Sequence, residues 1–249
     1  MSGHSKWSSI RRSKAASEAA SGRMSPMVAK EITFAARAAG VDPAGNPRLR
    51  AAIAAAKSVN MPATDIDRAV KKAASAPAGV PVEEVTYEGY GPAGVAMLVD
   101  CATDNRNRAS GEIRHIFDKY GGHMAEAGSV SYMFKHSGLI EVARSVIGED
   151  ELMELALDAG AEDVQGEGDL WAILTPPAAL EAVRAALAAR QVPVTSAGLT
   201  RLASVEVPLS EREAKAALRL LEMLEHNEEV QNVYANFVLP DELLAKLAQ

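Results

Sequence analysis

The sequence predicts an α+β protein in which a basic helical segment precedes a larger, acidic body of helices and strands. Residues 1–72 contain 13 Lys and Arg against 5 Asp and Glu, a net charge of +8, whereas the rest contains 13 against 28, a net charge of −15. Helix signals fill residues 8–74, and a βαββαβ order of elements follows in residues 138–204. This asymmetry of charge indicates a polyanion-binding segment on an acidic body.

The basic segment has start and stop signals for successive helices. The dipeptides Ser25-Pro26 and Asn46-Pro47 each place a capping residue before a proline, and Gly40 suits the end of the first of these helices. A proline also opens the next helix, and cations recur on the rim of each one. Basic rims on successive helices of one small bundle favour polyanion binding over an ordinary solvated surface.

The extreme N-terminus adds four cations, no acid and an aromatic residue within Gly3–Lys14. If a helix begins near residue 8, Trp7, Arg11 and Lys14 share one face. This arrangement suits docking on a nucleic-acid backbone, with the indole stacked on a base or supporting the cations. The alternative is a solvated helix whose Trp packs on the next helix.

A linker at residues 75–81 separates the bundle from the body, where the first motif is a glycine-rich turn. Residues 89–94 satisfy the pattern G-x-G-x-x-G, but β-rich sequence follows them and Pro92 lies inside the turn. A dinucleotide site needs a helix at that point. We therefore interpret the turn as a β-hairpin connection between a short strand at Val85 and Tyr87 and a second strand from Val95 to Cys101.

The segment Thr103–Arg108 alternates asparagine with arginine before a helix that ends at Gly121-Gly122. A helix cap accounts for Asp104 or Asn105. It does not account for the two arginines, and Arg and Asn are residue types that hold phosphates and amide edges. Structural and binding roles for this segment both stay open at this point. A strand is predicted after the helix, from residue 129 to 134.

The acidic middle of the chain predicts a ferredoxin-like βαββαβ arrangement. A capping box at Ser210–Glu213 then opens a long helix, a strand spans 230–238, and Pro240 opens a terminal helix. The predicted elements of the βαββαβ arrangement are strand 139–142, helix 151–159, strand 161–165, strand 170–174, helix 178–190 and strand 197–205.

No residue pattern indicates an enzyme, a cofactor or a metal. Cys101 is the single cysteine, no histidine stands three or four residues from another histidine or from it, and phosphate-loop and nucleophile-elbow motifs are absent. The acid pairs Glu83-Glu84 and Glu228-Glu229 are interpreted as solvated. Without a membrane-spanning run or a secretory signal, we expect a cytoplasmic protein. The alternative is an organelle matrix, because the Ser- and Arg-containing N-terminus also fits a transit peptide.

Five segments together resemble the YebC/PmpR family, which includes bacterial proteins and the mitochondrial translational activator of cytochrome oxidase. They are Gly3–Trp7, Asn46–Arg50, Asn60–Pro62, Tyr87–Pro92 and Thr103–Arg108. The resemblance runs in order along the chain to the last strand. It implies three domains: a basic helical bundle at 1–76, a central α/β domain formed by 82–136 and 206–249, and a ferredoxin-like domain inserted at 137–205.

The resemblance and the charge together predict a non-enzymatic nucleic-acid-binding regulator, with DNA-binding regulation of transcription as the first hypothesis. The alternative is a ribosome-associated translation factor that binds rRNA or tRNA and relieves stalling at proline-rich stretches. The acidic inserted domain is a candidate surface for a protein partner. The candidate nucleic-acid-binding residues are Lys6, Trp7, Arg11, Arg12, Lys14, Arg23, Lys30, Arg37, Arg48, Arg50, Asn105, Arg106, Asn107 and Arg108.

Overall fold

The structure, a computed structural model, describes residues 26–58, 61–74 and 82–239. They form the α+β architecture that the sequence predicts. The helices are α1 (Pro26–Ala39), α2 (Pro47–Ser58), α3 (Ala63–Ala74), α4 (Arg106–Lys119), α5 (Glu149–Asp158), α6 (Leu180–Ala189) and α7 (Glu211–His226). The strands are β1 (Glu83–Tyr90), β2 (Ala96–Thr103), β3 (His123–Met124), β4 (Phe134–Ala143), β5 (Asp163–Glu167), β6 (Leu170–Thr175), β7 (Val194–Ala203), β8 (Val207–Pro208), β9 (Val230–Ala235) and β10 (Phe237–Val238).

The chain divides into two compact units. In its described part, the larger unit comprises residues up to 131 together with 207–235 and 239, and the smaller unit comprises 132–206 with 236–238. The finer division into three domains stays a prediction. Each unit has its own sheet and its own buried apolar side chains, so each is described separately.

The N-terminal part of the larger unit is a bundle of α1, α2 and α3. Its core is built from Ile32, Leu49, Ile66 and many alanines, which let the helices approach closely. Gly40 has a φ of +96° and its N–H donates to Ala36 O at 3.0 Å, so the predicted end of α1 is confirmed. Asn46 caps α2 as predicted, because its side chain accepts a hydrogen bond from Leu49 N at 3.0 Å.

A four-stranded antiparallel sheet with the order β3-β1-β2-β9 forms the centre of the larger unit. Helices α4 and α7 pack on it and bury Ile113, Phe117 and Leu220. Cys101 lies in β2 with only 1% of its surface exposed. Burial, and to a lesser extent the charges of Glu229 and Asp100, raise the pKa of its thiol to about 12.

The glycine-rich turn joins β1 to β2 as a hairpin, which confirms the interpretation made from its sequence. The two strands pair in antiparallel register from Glu83↔Thr103 to Tyr90↔Ala96. Gly89 is required because a Cβ there would lie 2.8 Å from the ring of Phe117 and from His123 O. Gly89 therefore permits close packing of β1 against α4.

The prediction of a strand at residues 129–134 is wrong. Residues 131–133 form a 3₁₀ turn, and β4 begins at Phe134. The cause is the buried carboxylate of Glu88, which accepts hydrogen bonds from Gly128 N and Val130 N at 2.7 Å and from Ser131 N at 3.0 Å. These bonds use the N–H groups that a strand would have offered to a neighbour.

The smaller unit has the ferredoxin-like topology that the pattern of elements predicts. Its antiparallel sheet has the order β5-β6-β4-β7, and α5 and α6 pack against it. Its core includes Ile140, Leu152, Ile173 and Leu187, all fully buried.

The predicted boundaries of the remaining elements are less accurate than their types. The single strand predicted at 230–238 is broken into β9 and β10 at the buried Asn236, whose side chain donates to Val205 O at 3.0 Å. The capping box that begins α7 is confirmed, because the Ser210 and Glu213 side chains each bond the other residue's backbone N–H. The predicted terminal helix at Pro240 lies outside the described residues.

Candidate nucleic-acid interface

The candidate residues divide between the described part of the chain and the N-terminal stretch. Six of them lie outside the described residues: Lys6, Trp7, Arg11, Arg12, Lys14 and Arg23. Of the eight others, Lys30, Arg37 and Arg108 line a single cleft in the larger unit. The bundle and the Asn/Arg segment, which are far apart in sequence, therefore meet at one place.

This cleft has a volume of about 580 Å³ and lies between the bundle and the edge of the central sheet. Helices α1 and α3 form one side, and the end of β2, the start of α4 and the residues that join α7 to β9 form the other. Its apolar lining includes Phe34, Ala69 and Val82. Its charged and titratable lining residues are Lys30, Arg37, Arg68, Lys72, Arg108, His226, Asp65, Asp104, Glu228 and Glu229.

Lys30 binds the end of α7 through its ammonium. Its Nζ donates to Glu225 O and Asn227 O at 2.5 Å and to Val230 O at 3.2 Å. An ammonium has three N–H donors, so these carbonyls use all of them, and a cation at a helix C-terminus also interacts favourably with the helix dipole. Burial lowers the pKa of Lys30 to about 8. Lys30 therefore joins the bundle to the central sheet, and a phosphate would have to displace protein acceptors to reach it.

Arg37 has a more open environment within the same cleft. Its nearest acidic partner is Asp104, with 3.9 Å between the guanidinium nitrogen and Oδ2, and 32% of its side chain is exposed. A guanidinium has five N–H donors in a planar fork that matches phosphate oxygens. Among the predicted residues that line the cleft, Arg37 thus has the geometry best suited to an incoming phosphate.

Arg48 and Arg50 lie on α2 and do not line the cleft. Arg48 lies 4.2 Å above the ring of Phe34 and bonds Glu31 Oε1 at 2.8 Å and Glu84 Oε1 at 2.9 Å. Its contact with Glu84 links the bundle to β1. Arg50 is exposed and donates to Pro43 O at 3.0 Å and Ala44 O at 3.3 Å. Arg48 is therefore engaged by two acids, whereas the described partners of Arg50 are neutral carbonyls.

The Asn/Arg segment combines capping with ion pairing. Asn105 caps α4 by accepting a hydrogen bond from Arg108 N at 3.1 Å. The Arg108 guanidinium donates to Asp104 Oδ1 at 2.6 Å and to Glu229 Oε1. The hydrogen bond from Arg108 holds the pKa of the Asp104 carboxyl below its usual value. Asn105 and Arg108 thus have structural roles here.

Arg106 and Asn107 are exposed members of this segment. The Arg106 side chain is 65% exposed, with Glu83 Oε2 at 3.4 Å from its Nε, and Asn107 is exposed. Both side chains can reach a ligand without breaking a buried network.

Five residues that line the cleft are not among the candidates, although the basic rim of the third helix includes the first two: Arg68, Lys72, His226, Glu228 and Glu229. The interpretation of Glu228-Glu229 as a solvated pair is wrong for Glu229. The Glu229 side chain is 14% exposed and also accepts a hydrogen bond from Thr103 Oγ1 at 2.9 Å. Glu229 is buried because it pairs with Arg108 of α4. This contact depends on the tertiary fold, so the local sequence does not indicate it.

Two negative findings concern the described residues alone. In residues 26–58, 61–74 and 82–239, no cluster of three or more His, Cys, Asp or Glu side chains has an arrangement that would hold a metal ion. Over those same ranges, the helices are too short or too polar to cross a bilayer.

Comparison with known proteins identifies a class of regulatory protein. The chain is 50% identical to a probable transcriptional regulatory protein of Desulfotalea psychrophila, with 100% of both chains covered. It is equally identical to one from Geobacter sulfurreducens, over 99% of this chain and 100% of that one. A crystal structure of a conserved hypothetical protein from Aquifex aeolicus has a TM-score of 0.71 and 44% identity, and covers 86% of this chain and 89% of that chain.

Family models match almost the whole chain. Residues 5–76 match the TACO1/YebC protein N-terminal domain, and residues 82–237 match the TACO1/YebC second and third domain. The chain belongs to the TACO1/YebC family. The resemblance identified from its five sequence segments is thereby confirmed.

Proposed function

We propose that the chain is a non-enzymatic regulator of transcription that binds the backbone of DNA through its N-terminal bundle and the adjoining cleft. The observation that supports this most directly is that the accessible cations Arg37 and Lys72 of the bundle line one cleft beside the Asn/Arg segment. The net charge of +8 on residues 1–72 supplies the attraction for a polyanion. The names of the relatives from Desulfotalea and Geobacter agree with a regulatory role.

In this proposal, the contacts with phosphates come from cations that the fold leaves accessible. Within the cleft these are Arg37 and Lys72, and on α2 they are Arg50 and Lys57, which are exposed and seven residues apart. That spacing separates them by about 10 Å along one helix face. Lys6, Arg11, Arg12 and Lys14 add four cations to the same basic segment of the sequence. Phosphate contacts of this kind position a protein on DNA without reading the bases.

The test is the salt dependence of binding. Replacing Arg11, Arg12 and Lys14 together with alanine should weaken binding to a labelled DNA duplex. It should also flatten the plot of log affinity against log salt by up to about one unit for each phosphate that the variant no longer binds. Fluorescence anisotropy over a series of salt concentrations measures both quantities.

The matched control removes three cations from the smaller unit, by replacing Lys135, Arg184 and Arg190 with alanine. It removes the same charge from a surface that the proposal does not use, so its slope should stay that of the unmodified chain. An unchanged slope in the N-terminal variant would show that these three cations do not contact phosphates, and would contradict their part in the proposal.

The alternative function is that of a ribosome-associated translation factor. Cations that bind a backbone without reading bases suit structured RNA as well as DNA. Crosslinking in cells, followed by sequencing of bound DNA and bound RNA, separates the two functions. Specific rRNA sites together with scattered, promoter-independent DNA would contradict the transcription proposal.

A further inference from the structure

The cleft contains acids opposite the cations of the bundle, and these acids lie in the turns next to strands β2 and β9 of the central sheet. Lys72 Nζ in α3 lies 2.9 Å from Glu228 Oε1, and Arg37 in α1 faces Asp104. A carboxylate and a phosphate oxygen are acceptors of the same kind. Any phosphate that approaches these two cations therefore meets an acceptor already present in the protein.

The acidic contacts differ in how readily they can be exchanged. Lys72 and Glu228 are 60% and 79% exposed, and exposed pairs of this type contribute little net stability. The Lys72 ammonium still holds the pKa of Glu228 below its ordinary value. Glu229, in contrast, is mostly buried between Arg108 and Thr103. Glu228 is thus a carboxylate that can leave its cation without disturbing the fold.

We propose that Glu228 is an internal competitor for phosphate, which occupies Lys72 in the free protein and gives way to a polymeric backbone. This inference rests on the proposed function and names a regulation of the same site. A single phosphate group exchanges one ion pair for another and gains little. A nucleic-acid strand makes further contacts with Arg37, Arg50 or Lys57, so it displaces the carboxylate. Glu228 therefore lowers the affinity of Lys72 for any phosphate ligand, and a polymer overcomes this because it makes further contacts elsewhere.

The test is Glu228→Gln in the full chain. The variant should bind a labelled nucleic-acid strand about two- to fivefold more tightly at low salt, the factor expected for losing one exposed competing pair. The slope of log affinity against log salt should stay the same, because the phosphate contacts themselves are unchanged.

The matched control is Glu126→Gln, which removes an equal charge from an exposed position of the same unit. An equal gain in affinity in both variants would show that the effect comes from net charge alone, and would overturn the inference. In a Lys72→Gln background, the additional effect of Glu228→Gln should fall to that of the control. Retention of the full effect there would also overturn it.

The failure of this inference is distinguishable from the failure of the proposed function. A full chain that binds neither DNA nor RNA would contradict the function itself. A full chain that binds nucleic acid while Glu228→Gln leaves the affinity unchanged would contradict only the role of Glu228.

Discussion

At the scale of single residues, the partners of a charged side chain decide what it can do. Lys30 and Arg37 are seven residues apart on α1, and the sequence assigns them the same role. The structure gives Lys30 three carbonyl acceptors and leaves Arg37 with one distant carboxylate. Sequence spacing predicted that both would lie on one side of a helix, but not that the end of α7 would meet one of them.

Glu88 shows how a buried carboxylate can fix a loop. Burial opposes its ionisation, but three backbone N–H donors outweigh this effect and hold its pKa below the ordinary value. Because its folded pKa is depressed, the stability it contributes is present above the unfolded value of about 4.3 and is lost as pH falls through the folded pKa.

Replacing Glu88 with glutamine should lower the free energy of unfolding by about 1–3 kcal/mol at neutral pH, because buried N–H groups lose a charged acceptor. The difference from the unmodified chain should shrink as the solution is acidified below about pH 4. Urea unfolding followed by circular dichroism over a pH series measures this. Glu126→Gln is the control; a loss no greater than in that variant would rule out the role of Glu88.

At the scale of elements, the sequence predicts the structures that depend on adjacent residues and does not predict those that depend on distant ones. The caps at Asn46, Asn105 and Ser210 and the hairpin after β1 follow from a few adjacent residues. The prediction of a strand at 129–134 is wrong because the group that shapes this loop, Glu88, lies some 40 residues earlier in sequence. A pattern of side chains within a window carries no information about such an acceptor.

Asn46 connects two helices as well as beginning one. Its side-chain nitrogen donates to Ala35 O and Gly40 O at 2.7 Å, and the residue is fully buried. Asn46→Ala should lower the free energy of unfolding by about 1–3 kcal/mol, through loss of the cap and of the two hydrogen bonds to these carbonyls. Asn107→Ala, at an exposed position of α4, should change it by less than about 0.5 kcal/mol. Equal stability of the two variants in urea unfolding would contradict this role.

At the scale of the whole molecule, the negative charge is divided between the two units. Residues 132–206 contain 5 Lys and Arg against 12 Asp and Glu, a net charge of −7, and the rest contains 21 of each. The smaller unit therefore carries about half of the −15 that follows residue 72, and residues 73–131 and 207–249 carry the other −8, which offsets the +8 of residues 1–72. Sequence alone predicted the asymmetry and the candidate cations. It did not predict the cleft, because acids that follow α7 complete it.

The smaller unit should fold by itself. Its core residues lie within positions 140–192, and its sheet pairs β4 with both β6 and β7. Residues 132–206 expressed alone should show a cooperative urea transition by circular dichroism. Ile140→Ala should weaken that transition by about 2–5 kcal/mol, because it opens a cavity in the core. A fragment that unfolds gradually, with or without this substitution, would show that the core needs the rest of the chain.

The burial of Cys101 has a practical consequence for studying this protein. Thiol-directed dyes and spin labels react with the thiolate, and a pKa of about 12 leaves almost none at neutral pH. The natural chain therefore provides a nearly silent background for labelling. A cysteine introduced at an exposed position such as Glu126 would take up the reagent selectively, so fluorescence or spin-resonance distances can be measured without first removing the native thiol.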